Sequence, residues 1–115
     1  MKIDKSLMSG STTMLILSLL AREEMYGYQM IEELKNRSDE TFHLKAGSLY
    51  PLLHNLEEKG YVSAYEREAA AGKPRRYYHL TDTGHSALHE KEESWNIYAR
   101  AVTKVLGGGE CYAGA

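Results

Sequence analysis

The sequence predicts a mainly α fold with a two-stranded β-hairpin and a long final helix. Three observations predict it. Leu49, Leu52, Leu53 and Leu56 fall at i, i+3, i+4 and i+7, one face of an α-helix. Two segments rich in β-branched and aromatic residues, YVSAYERE (61–68) and RRYYHL (75–80), flank the small-residue turn AAAGKP (69–74). Leu88, Trp95 and Val102 then recur seven apart, in a segment that stops at Gly107, Gly108 and Gly109.

Each element follows in order. Met14 to Leu20, MLILSLL, is apolar nearly all round, the pattern of a helix buried at the centre of a domain. Gly10 falls in or near its first turn. A second helix places Gly27, Ile31 and Leu34 on one face. Its acids, Glu32 and Glu33, precede Lys35 and Arg37, in agreement with the helix dipole. Ser38, Asp39 and Glu40 break the pattern. The third helix carries the leucine stripe. Ser48 can cap it, which puts Pro51 in the first turn where no N–H is missed. A start at Ala46 would instead make Pro51 bend it. Gly60 is its stop. Tyr50, His54 and Asn55 fall off the stripe and face away from the core, and Lys45 lies just ahead. After the hairpin, Thr81 caps a last helix running to Leu106, roughly 35–40 Å long. A domain this small cannot cover such a helix. Its seam, Leu88, Trp95, Tyr98, Val102 and Val105, is expected to pack on a partner subunit. The expected organisation is a unit over 1–80, a dimerisation helix over 81–106 and a flexible tail over 107–115.

Composition narrows the function. The 115 residues suit one domain, and the formal net charge is −2. Charge is uneven: residues 41–76 hold six cations against four anions, and acids prevail on both sides. Lys73, Arg75 and Arg76 crowd around Pro74. Such a cluster repels itself unless a partner meets it. The lone Cys111 cannot close an internal disulfide, which fits a reducing compartment. The longest apolar run is far too short to span a bilayer, and acids near the start argue against a secretory leader. A cytoplasmic location is expected. His85 and His89 stand i, i+4, with His79 nearby, but no further ligand joins them in a familiar zinc spacing. Neither metal nor cofactor is expected. No phosphate loop or nucleophile elbow stands out, so an enzyme is not expected.

Three helices followed by a hairpin and a further helix make a winged helix-turn-helix. In that fold the third helix enters the DNA major groove, here offering Ser48, Tyr50, Pro51, His54 and Asn55. The cationic hairpin tip can follow the backbone or dip into the minor groove. The same fold also serves as a protein–protein adaptor, which stands as the rival reading.

MYGYQMIEEL, GSLYPLLHNLEEKGYVSAY and GKPRRYYHLTDTG together resemble the PadR family of transcriptional regulators over residues 7–106. The resemblance implies a dimeric winged-helix repressor of the small-subunit branch, with a pseudo-palindromic double-stranded operator as partner. It implies DNA contact by Lys45, Ser48, Tyr50, Lys73 and Arg75. The family's Tyr-Gly-Tyr motif maps onto Tyr26, Gly27 and Tyr28, its third-helix motif onto Ser48 to Pro51, and its wing motif onto Gly72 to Tyr77. EESWNIYAR also resembles drug-sensing members, in which this tryptophan from each subunit stacks planar drugs. That implies a small planar aromatic effector held by Trp95 and its twin, with Met8, Leu15 and Tyr98.

Overall fold

The computed structural model describes residues 5–8, 10–68 and 72–107. In chain order the elements are α1 (Lys5–Met8), α2 (Thr12–Arg22), β1 (Met25–Tyr26), α3 (Gly27–Arg37), α4 (Ala46–Glu58), β2 (Val62–Glu68), β3 (Pro74–Leu80) and α5 (Asp82–Val105). Helix α2 is the centre. Ile16, Leu17, Leu19 and Leu20 are buried, and the helix packs on α3, β3 and α5. Gly10 sits in the turn ahead of it. There the Met8 carbonyl accepts from the Ser11 N–H at 2.9 Å and from the Ser11 and Thr12 hydroxyls at 3.1 and 3.2 Å.

On α3, Gly27, Met30 and Leu34 are buried and Ile31 partly so. The helix closes without a glycine. The Ser38 hydroxyl donates to the Leu34 carbonyl at 2.7 Å and accepts from the Phe42 N–H at 3.0 Å. Asp39 and Glu40 take φ of 50° and 62°, the left-handed region that side chains seldom adopt. Helix α4 buries Leu49, Leu53 and Leu56 against this framework. It begins one turn earlier than a Ser48 cap requires. Lys45 is the N-cap, with extended backbone, and its carbonyl accepts from the Ser48 and Leu49 N–H groups, both at 2.9 Å. Pro51 therefore lies inside the helix and withholds the bond that the Gly47 carbonyl would otherwise accept. Gly60, at φ +78°, ends it as expected.

The hairpin gains a third strand. β1 pairs antiparallel with β3, Met25 opposite Tyr78 and Tyr26 opposite Tyr77, so the sheet order is β1-β3-β2. Alternation along the strands sends Met25, Val62, Ala64, Tyr78 and Leu80 toward the core. The same alternation puts Tyr26, Ser63, Tyr65, Arg67, Arg75, Tyr77 and His79 on the outer face. Ala69 to Ala71 of the hairpin tip lie outside the described residues, as does the expected flexible tail beyond Gly107, with Cys111.

Thr81 caps α5 as its position predicts, accepting from the Gly84 N–H at 3.0 Å. Its own N–H donates to the Tyr61 carbonyl at 3.0 Å, which fastens the helix start to the link between α4 and β2. Gly84 makes this approach possible: a Cβ there would overlap the Tyr61 carbonyl oxygen and the Leu80 side chain. Ala87 and Leu88 are buried beside it. Leu88 is thus spent in the protomer's own core and is not a free seam position. Beyond it, residues 89–106 are exposed apart from the half-buried Ala99 and Thr103. Among the described residues no helix is long and apolar enough to cross a membrane.

Gly84→Ala should destabilise the chain by about 2–3 kcal/mol, because its obstacle is backbone rather than a movable side-chain end. Urea unfolding should show a lower midpoint with an unchanged slope.

Candidate nucleic-acid interface

The leucine stripe of α4 decides which side chains it offers. With Leu49, Leu53 and Leu56 inward, Ser48, Tyr50, Pro51, His54 and Asn55 lie exposed along the opposite face. Lys45 is exposed at the helix start. The Tyr50 ring is 48% exposed and rests against the Gly27 backbone. A Cβ at Gly27 would overlap the Tyr50 phenol, so this glycine is the seat of the tyrosine. His54 lies 3.6 Å from Glu58 at the surface. Tyr28, in the first turn of α3, is 61% exposed.

The outer face of the sheet is built from aromatic rings with arginines laid over them. Tyr26 meets Tyr77 edge to face at 5.4 Å, and Tyr77 stacks on Tyr65 at 6.1 Å. The Arg75 guanidinium lies 4.4 Å above the Tyr26 ring and that of Arg67 4.3 Å above Tyr77. Such contacts hold a cation upright without neutralising it. The Tyr65 hydroxyl donates to Glu24, whose carboxylate, with burial adding to it, holds the phenol above its usual pKa; Arg67 acts in the opposite sense. Lys73, at the base of the tip, is exposed.

Arg76 behaves differently from its neighbours. It points to the core side of the hairpin, contacts the Tyr78 hydroxyl, and donates to Glu57 of α4 at 2.8 Å. It ties the wing to the end of α4 and is already committed to a carboxylate. About half of its side chain nevertheless remains in solvent. Sequence reasoning overlooked Arg67. The signal was present, since Arg67 and Arg75 stand symmetrically about the turn and share one face by alternation.

A second feature lies along α5. Met8, Trp95, Tyr98 and Val102 line a groove of ≈ 940 Å³ between α1, the start of α2 and α5. The Trp95 and Tyr98 rings are 6.2 Å apart, and Trp95 is 47% exposed. Leu15 is not among its walls. It lines a separate cleft with Met14, Ser18 and His89, which Trp95 also borders. Val105, at 85% exposure, stands bare near the helix end.

Three helices, a small antiparallel sheet with an arginine-bearing hairpin, and an uncovered last helix define a winged-helix DNA-binding fold. The sequence profile of the transcriptional regulator PadR-like family matches residues 16–90. The chain is 34% identical over 99 residues to the transcriptional regulator Rv3488 of Mycobacterium tuberculosis, covering 86% of each. Its fold superposes on the crystal structure of a PadR family transcriptional regulator from Eggerthella lenta with a TM-score of 0.79. That protein is 35% identical, over 89% of this chain and 87% of that one. A transcriptional regulator from Clostridium thermocellum gives the same TM-score of 0.79 at 29% identity, over 86% of this chain and 96% of that one. The chain belongs to the PadR-like family of transcriptional regulators, and it is a regulator rather than an enzyme.

The Tyr65 phenol should titrate above an ordinary tyrosine, and Glu24→Gln should bring it down. Its folded-state pKa is the higher one, so the contact contributes fully below the ordinary phenol range and fades as pH rises through the raised value. NMR titration of the ring carbon signals, assigned with Tyr65→Phe, checks this.

Proposed function

We propose that this chain is a cytoplasmic, ligand-responsive repressor acting as a homodimer on a pseudo-palindromic operator. One observation carries the reading. The exposed face of α4 and the hairpin arginine Arg75 are joined through two adjacent residues, Tyr26 under the arginine and Gly27 under Tyr50. The wing and the insertion helix are therefore positioned by one short segment, as a DNA reader requires. Two copies of α4 would enter successive major grooves, about one helical turn apart. Lys45, Ser48, Tyr50, Pro51 and His54 would meet the groove, and Lys73 and Arg75 the flanking backbone. Tyr26 and Tyr77 would act beneath the cations, with Tyr28 at the margin.

The division of labour places DNA contact in residues 1–80 and subunit pairing in 81–106, although Ala87 and Leu88 remain in the protomer's core. Trp95, Tyr98, Val102 and Val105 are large apolar side chains left in water on one helix, the kind of surface that a second copy covers. The groove beside them has the size of a small-molecule site, and its paired rings suit a planar aromatic effector. An effector that fits one spacing of the two α5 helices better than another would shift the separation of the wings and weaken operator binding.

Lys73→Ala and Arg75→Ala should each weaken binding to every duplex and reduce the slope of log affinity against log salt by about 0.9. Tyr50→Ala should weaken binding to the chain's own promoter fragment about tenfold and leave thermal unfolding unchanged. Sedimentation under the same conditions should show a two-chain particle. A single-chain particle that ignores the fragment at low salt would sink the proposal and favour an adaptor.

Titration with a planar cationic dye should quench Trp95 fluorescence, and Trp95→Ala should abolish dye binding. Unchanged emission at saturating dye would remove the effector from the reading.

A further inference from the structure

The outer face of the hairpin carries a pair that sheet energetics disfavours. Arg67 on β2 stands directly opposite Arg75 on β3. Like charges placed opposite one another on the same face of a sheet repel. The neighbouring pair on the other face, Glu66 opposite Arg76, is of opposite sign. Charge is thus sorted by face. The inner face holds Glu66, Glu68 and Arg76, with Glu57 of α4 beside them. The outer face holds the two arginines. Among the described residues, neither Arg67 nor Arg75 makes an ion pair, whereas Arg76 does.

Both guanidinium groups are nevertheless held in place. Arg67 crosses from β2 to lie over Tyr77 on β3, and Arg75 crosses from β3 to lie over Tyr26 on β1. The Tyr65 hydroxyl touches Arg67 and supports its charged form. Glu24, the acid at the rim, accepts from the Tyr65 hydroxyl and makes no ion pair with Arg67, although its charge also favours the Arg67 cation. Guanidinium groups that are ordered, adjacent and without a bound carboxylate suit phosphate oxygens, which they can meet with two parallel N–H donors.

We propose that Arg67 is a DNA-backbone contact in its own right, and that it and Arg75 form a two-pronged phosphate grip on the outer face of the hairpin. Tyr77 and Tyr26 are its positioning residues. The inference rests on the DNA-binding reading above and adds two things to it: a contact from β2, and the face of the wing that meets the duplex. Both guanidinium groups are already held over rings before any anion arrives, so the grip is assembled in advance and completed by the ligand.

The test is a fluorescence-anisotropy titration of a labelled mixed-sequence duplex over a salt series, with wild type, Arg67→Ala, Arg67→Lys, Arg75→Ala and Arg76→Ala. Arg67→Ala should reduce the salt slope by about 0.9, as Arg75→Ala does, and Arg67→Lys should restore the slope. Arg76→Ala should keep the wild-type slope. Far-UV circular dichroism should be the same for all five proteins. A wild-type slope in Arg67→Ala, beside a reduced one in Arg75→Ala, would overturn the grip and leave the DNA-binding reading standing. A wild type that does not bind the duplex at the lowest salt would bring down both.

Discussion

The register of α4 is the constraint on which the rest depends. Burying one leucine side chain contributes about 1.5–3 kcal/mol, and Leu49, Leu53 and Leu56 are all buried. No surface contact of this helix competes with that sum. The rotation of the helix is therefore settled by the core, and the outward direction of Tyr50, Pro51 and His54 follows from 3.6 residues per turn. The buried leucines and the exposed polar and aromatic residues thus stand on opposite sides of one helix. Truncating one of these leucines would leave a cavity in the core, which truncating His54 would not.

The hairpin is attached to that helix at few points, each placed where it matters. Arg76 reaches Glu57 near the C-terminal end of α4. Thr81 holds the loop at Gly60 and Tyr61. On the other side β1 joins β3 at the foot of α3. The wing base is thus referenced to both helices of the helix-turn-helix, while Gly72 and Lys73 stand clear in solvent. The surface ion pair contributes little to stability by itself. It is one of several links, beside the β1–β3 pairing and the Thr81 contacts, that join the hairpin base to the helices.

Much of this was legible in the chain because it depends on local periodicity. The α4 stripe, the Gly60 stop, the two hairpin strands and the Thr81 cap all stand where spacing and residue type put them. What escaped depends on contacts between distant segments. β1 has two residues, too few to show alternation, and exists because β3 offers it an edge. α1 is four residues long and has no pattern to read. Pro51 favoured a later helix start, yet the Lys45 carbonyl takes the Ser48 and Leu49 N–H groups and adds the exposed turn 46–48 ahead of it. Leu88 shares a seven-residue spacing with Trp95 and Val102, and spacing cannot tell whether a position meets its own core or another subunit. That depends on where α5 leaves the surface of α2. Glu57 as the partner of Arg76 could not be read at all, since the two residues are nineteen positions apart.

Helix α5 is clamped at one end only. Its start is pinned against Tyr61 at Gly84, and past Leu88 little of its own protomer supports it. It acts as a lever. With about 30 Å between Gly84 and Val105, each degree of rotation at the clamp sweeps the free end by about 0.5 Å. By the same geometry, a shift of about 1 Å at Val105 corresponds to a turn of about two degrees at Gly84.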